Sequence, residues 1–124
     1  MNKTMTVTYY HHSGFSVASG DTLLVFDYWR GKKVRLPDEL GVTPETLARF
    51  NEVIVFISHE HEDHYDGVVY TWDQYAPVTY IIAQELPEKA RGYRMKKGDE
   101  LSLSDRVQVK AYGSTDSGVS FLVT

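Results

Sequence analysis

An unbroken apolar run, Val53-Ile54-Val55-Phe56-Ile57, leads directly into Ser58-His59-Glu60-His61-Glu62-Asp63-His64, and this junction constrains the fold more than any other stretch of the chain. Consecutive β-branched and aromatic residues without a polar interruption make a strand buried on both faces, the pattern of a central strand covered above and below. The polar segment at its end carries four metal-ligating side chains, His59, His61, Asp63 and His64. Extended backbone sends residues i and i+2 to the same side, so His59 and His61 can offer two imidazoles to one cation. A tight turn can aim Asp63 and His64 at a neighbouring cation, which suits two metals sharing a water. Without a cation, the crowded carboxylates and imidazoles would lack compensating positive charge, which disfavours a plain surface loop.

The surrounding charge agrees. No Lys or Arg occurs from Phe50 to Glu88, whereas Glu52, Glu60, Glu62, Asp63, Asp66, Asp73, Glu85 and Glu88 all do. A divalent cation would relieve that negative field. The sequence contains no Cys, so there is no disulfide framework or thiolate site, and any metal is held by His and carboxylate. Its 124 residues are 42% hydrophobic and 24% charged with net charge −4, which describes one soluble, mildly acidic domain spanning 1–124. No run approaches membrane-spanning length and no signal-type apolar leader is seen, so a cytoplasmic location is expected.

The chain opens as a meander, with strands predicted near 5–11, 14–18 and 22–27 and a turn at Gly20-Asp21. Thr43-Pro44-Glu45-Thr46 supplies an N-cap, a first-turn proline and an acid for a short helix to about Phe50. Val68 to Tyr75 is expected to be helical, ending before Pro77, and Val78–Ile82 reads as a second buried strand, which gives a strand, helix, strand crossover. Further strands are predicted near 93–95, 100–103, 106–112 and 118–123, with turns at Lys97-Gly98-Asp99 and Ser104-Asp105.

Ser58 to Asp66, after its hydrophobic strand, resembles the H-x-H-x-D-H signature of the metallo-β-lactamase superfamily. The upstream stretches from Thr6 to Val17 and Thr22 to Asp27 are similar to the opening strands of that family's broad hydrolase branch, where an Asp often stands at the position of Asp27. The resemblance implies an α/β fold, a layered β-sandwich of two mixed sheets with outer helices. It further implies one or two zinc ions, with manganese, iron or magnesium as alternatives, at His59, His61, Asp63 and His64. Hydrolysis of an ester, lactone, amide or phosphodiester in a small-molecule substrate is the implied activity, with Asp63 as the catalytic residue that orients the metal-bound water.

Two departures qualify that inheritance. The family's domain is longer and built from two similar halves, so the resemblance implies that this chain corresponds to the N-terminal half and that the later Asp and His ligands would fall beyond residue 124. The family's third His, commonly in a Gly-His-Thr stretch, is matched by Gly113-Ser114-Thr115, and no His follows His64. The first site would then be weaker, would use Asp116 instead, or would hold a harder metal such as manganese or magnesium. The rival reading is a catalytically incomplete metal-binding half-fold serving a structural or interaction role, paired as a homodimer or with the missing C-terminal half. Membrane partners are not expected. Nucleic-acid processing is disfavoured by the acidic balance.

Other residues carry competing readings. His12 is expected to be a hydrogen-bonded structural residue rather than a contact near the metals. Asp27 either accepts from a ligand imidazole, fixing its tautomer, or merely closes a turn. The basic clusters Arg30-Lys32-Lys33-Arg35 and Lys89-Arg91-Arg94-Lys96-Lys97 read as solvated surface ahead of substrate steering. Tyr65, Tyr70, Trp72 and Tyr75 read as core packing ahead of a substrate pocket.

Overall fold

The computed structural model describes residues 5–32, 34–59, 66–103, 107–113 and 118–124. Six strands form one sheet in chain order, β1 (Met5–His11), β2 (Gly14–Ser19), β3 (Thr22–Phe26), β4 (Glu52–Ile57), β5 (Val78–Ala83) and β6 (Tyr93–Met95). The first three are antiparallel, and β3 to β6 run parallel. A second sheet holds β7 (Glu100–Ser102), β8 (Gln108–Gly113) and β9 (Val119–Val123), all antiparallel. Two mixed sheets were expected; among the described residues the six-stranded sheet is mixed and the three-stranded one is wholly antiparallel. The parallel strands need crossovers.

Residues directly opposite one another on paired strands share a face. Tyr9, Phe15, Phe26 and Phe56 are in register across β1 to β4. Their rings form a row: Phe15 stacks on Phe26 at 4.7 Å, Phe26 on Phe56 at 4.6 Å, and Phe56 meets Phe121 of β9 at 5.3 Å. This inner face meets the second sheet, which buries Val109, Ala111 and Val119. The opposite face, with Leu23, Val25, Val53 and Val55, is likewise buried, and Tyr80 on β5 donates its hydroxyl proton to the Val69 carbonyl. Val53 to Ile57 are buried throughout, as their uninterrupted apolar character requires. Cover is incomplete at one edge. Met5, Val7 and Tyr9 on β1 are 67%, 68% and 66% exposed.

The helices are shorter or tighter than their sequence pattern suggests. α1 spans Pro44–Leu47, with Thr43 Oγ1 accepting from the Thr46 N–H at 3.2 Å. The chain then tightens, as Arg49 donates to Thr46 and Phe50 to Leu47, three residues back, so the predicted helix to Phe50 ends early. The segment after the motif is a 3-10 helix, Gly67–Gln74, rather than an α-helix. Its β-branched Val68, Val69 and Thr71 favour α-helix poorly, and the Thr71 hydroxyl takes the Val68 carbonyl at 2.7 Å. It still forms the crossover from β4 to β5 that the sequence predicts. No helix among the described residues is long and apolar enough to cross a membrane.

Candidate metal centre

In an open parallel sheet, the carboxyl ends of the strands deliver their following loops to one edge. Here that edge receives Asp27 after β3, Ser58 and His59 after β4, and Glu85 after β5. Asp27 adopts a left-handed backbone (φ 48°), which Asp tolerates better than most residues, and its N–H donates to the Phe56 carbonyl at 2.9 Å. That bend turns its carboxylate onto β4. Ser58 donates to it twice, from its N–H at 2.8 Å and from its hydroxyl at 2.6 Å.

The Ser58 hydroxyl also lies 2.7 Å from His59 Nδ1. A hydroxyl has one proton, and here it goes to the carboxylate, so the oxygen must accept from Nδ1–H. The imidazole is therefore held in the tautomer whose Nε2 carries the lone pair, the form that ligates a metal. Gly118 fixes the other side of the ring. Its left-handed backbone (φ 96°) brings it so close that a Cβ would collide with the Ser58 carbonyl and lie 3.0 Å from His59 Cδ2. Gly118 donates to Glu85 Oε1 at 2.9 Å and Val119 to the Ser58 carbonyl at 2.9 Å, joining the second sheet to the end of β4.

Asp66, on the far side of the motif, is bound as firmly. Its Oδ2 accepts from Arg30 Nε at 2.7 Å and from the Arg30 N–H at 3.2 Å. Its Oδ1 accepts from Arg30 Nη2 at 3.2 Å and from the Val68 N–H at 3.0 Å, which caps the 3-10 helix. Burial alone would raise the Asp66 carboxyl, but these hydrogen bonds and the Arg30 charge outweigh it and hold the group below the ordinary carboxylate range. The same pairing holds Arg30 more firmly protonated.

The chain matches the family described as the beta-lactamase superfamily domain over residues 6–110. It belongs to the beta-lactamase superfamily. No protein of curated function matches it. Among solved structures, the superfamily chain is similar to a protein of Parabacteroides distasonis named as a metal-dependent hydrolase, at 17% identity and a TM-score of 0.68, covering 98% of this chain and 56% of that one. It is also similar to Igni18, a metallo hydrolase of the hyperthermophilic archaeon Ignicoccus hospitalis, at 17% identity and a TM-score of 0.72, covering 97% of this chain and 55% of that one. The fold is therefore metallo-β-lactamase-like, and the chain spans just over half the length of these structures.

Of the ligands expected from the sequence of this superfamily member, His59 is placed as described. His61, Asp63 and His64 lie outside the described residues, as do Tyr65, Ser114 and Asp116. Among the described residues, no group of three or more His, Asp or Glu side chains gathers to hold a metal. Asp27 accepts from Ser58 rather than from an imidazole N–H as expected, and it also makes the left-handed bend that ends β3. His12 sits at the β1–β2 turn with φ 57°, edge-on to Trp29 at 5.6 Å, and Trp29 also packs on His11.

The basic clusters divide. Arg30 is committed to Asp66, and Arg94 donates to the carbonyls of Gln84, Leu86, Pro87 and Ala90. Arg91 lies over the Tyr70 ring at 4.8 Å. Lys89, Lys96 and Lys97 are exposed, and Lys33 lies outside the described residues. Trp72 is buried against Tyr28, a core role, whereas Tyr75 is exposed. Sequence reasoning missed Ser58, Arg30, Asp66, Glu85 and Gly118 as parts of the site. Only Ser58 gave a signal, through its place between the buried strand and the first His.

Proposed function

We propose that this chain is the metal-binding half of a metal-dependent hydrolase, with one or two zinc ions held by His59, His61, Asp63 and His64. The observation that carries this reading is the Asp27–Ser58–His59 chain, which presents a lone pair on Nε2 at the carboxyl edge of the parallel strands. The donor set of imidazoles and a carboxylate fits zinc, and manganese or iron would also be accepted. When bound, the metal supplies an acidified water and polarises the scissile carbonyl or phosphoryl oxygen. The chain's own part is to orient. His59 is fixed by Ser58 and Gly118, and Asp63 is assigned to orient the attacking water and accept its proton.

The substrate class is an ester, lactone, amide or phosphodiester in a small molecule. The names of the similar solved structures support hydrolysis in general and choose none of these bonds. A cytoplasmic location is part of the same reading, and a sequence without cysteine has no disulfide that a reducing compartment would break. Metal analysis of protein purified without chelator, beside His61→Ala, tests the reading. One or two zinc equivalents that disappear in the variant are expected. Parent protein that binds no zinc would overturn it.

A second reading, a catalytically incomplete half-fold that pairs with a second copy of the chain, is favoured by the exposed apolar residues Met5, Val7 and Tyr9. They continue the same inner face that the second sheet covers elsewhere.

A further inference from the structure

The segment from Asp27 to Arg30 touches the motif on both sides. Asp27 binds Ser58, immediately before the first motif histidine, and Arg30 binds Asp66, two positions after the last. A short stretch of backbone, itself held to β4 through the Asp27 N–H, thus sets the separation and direction of the two chain ends that carry His59 through His64. The contact at Asp66 is specific in geometry. Three donors of one residue, the Arg30 N–H, Nε and Nη2, converge on one carboxylate, and a fork of two side-chain donors locks the plane of the pair as a single ammonium cannot. The fourth bond, from the Val68 N–H, passes that constraint to the start of the 3-10 helix.

We propose that Arg30, acting through Asp66, is a positioning residue for the metal site, setting zinc affinity without touching the metal. The proposal rests on the metal-site reading above. It accounts for an arginine from the first basic cluster being paired with Asp66, where the sequence pattern suggested solvated charge. It also separates Arg30 from Arg94, whose side chain makes four hydrogen bonds but to carbonyls of the loop after β5.

Competitive zinc titration against a chromophoric chelator, with the fold checked by near-ultraviolet circular dichroism and melting, tests this on the whole chain. Partners that orient metal ligands typically contribute about 10–100-fold in affinity. Arg30→Ala and Asp66→Asn are therefore each expected to weaken zinc binding by roughly tenfold or more, and the double variant no further, because the two act as one unit. Arg30→Lys, which keeps the charge and spares the fold, is expected to recover only part of the affinity. Arg94→Ala is expected to lower the melting temperature and leave zinc affinity unchanged. Parent-like affinity in Arg30→Ala, or in Arg30→Lys and Asp66→Asn if the alanine variant does not fold, would overturn the proposal while leaving the metal site standing. Absence of zinc binding in the parent would overturn the metal-site reading and the positioning role with it.

Discussion

Ser58 has a single hydroxyl proton, and its direction decides what His59 can do. Removing the hydroxyl breaks the link by which Asp27 acts on the His59 ring. Ser58→Ala is therefore expected to weaken zinc binding about 10–100-fold, read by chelator competition. It is also expected to cost about 1 kcal/mol of stability, read by denaturant unfolding, since one part-buried hydrogen bond is lost while the Ser58 N–H still donates to Asp27. Tyr80 gives a separate test by pH. Burial, then the charge of Asp73, pushes its hydroxyl up to about 12. A raised folded pKa means that the native state holds the proton more tightly than the unfolded chain. The stabilisation is fully present below pH 10, the ordinary value, and is lost as the pH rises toward about 12. Tyr80→Phe should flatten the alkaline fall in melting temperature, while the buried Tyr10 and Tyr28, also raised, keep part of it. An equally steep fall in the variant would remove Tyr80 from the account.

At the level of elements, β4 organises the molecule because both of its faces are covered. Phe56 sits in the aromatic row between β3 and β9, so Phe56→Ala is expected to cost about 3–5 kcal/mol by denaturant unfolding. A loss below 1 kcal/mol would mean that the row contributes little packing. This strand was the most legible part of the sequence, and so were the opening meander and the β4–β5 crossover, because hydrophobic period and turn residues act locally. The 3-10 geometry of Gly67–Gln74 was not legible, since its spacing of apolar residues is compatible with either helix. Nor was the division of the later strands, with β6 joining the parallel sheet and β7 starting another, because partner choice depends on contacts far apart in sequence. At the site, the histidine motif announced itself by residue type. Of the residues around it, Asp27 was weighed from the sequence, whereas Arg30, Glu85 and Gly118 come from segments that only the fold brings to one edge.

For the whole molecule, the inner face is buried at β4 and exposed at β1 among the described residues. If β1 pairs with a second copy, sedimentation at rising concentration should show a dimer that Val7→Lys dissolves while the melting temperature of the monomer is preserved. A chain that stays monomeric at every concentration would count against the half-fold reading. The order of the strands has one more consequence. β1 to β3 are joined by tight turns and need only local contacts, whereas β4 must return across the loop and helix between Phe26 and Glu52 before it can pair. During synthesis the segment bearing Asp27 and Arg30 leaves the ribosome before the histidines do, so the template that receives them can be in place when they arrive.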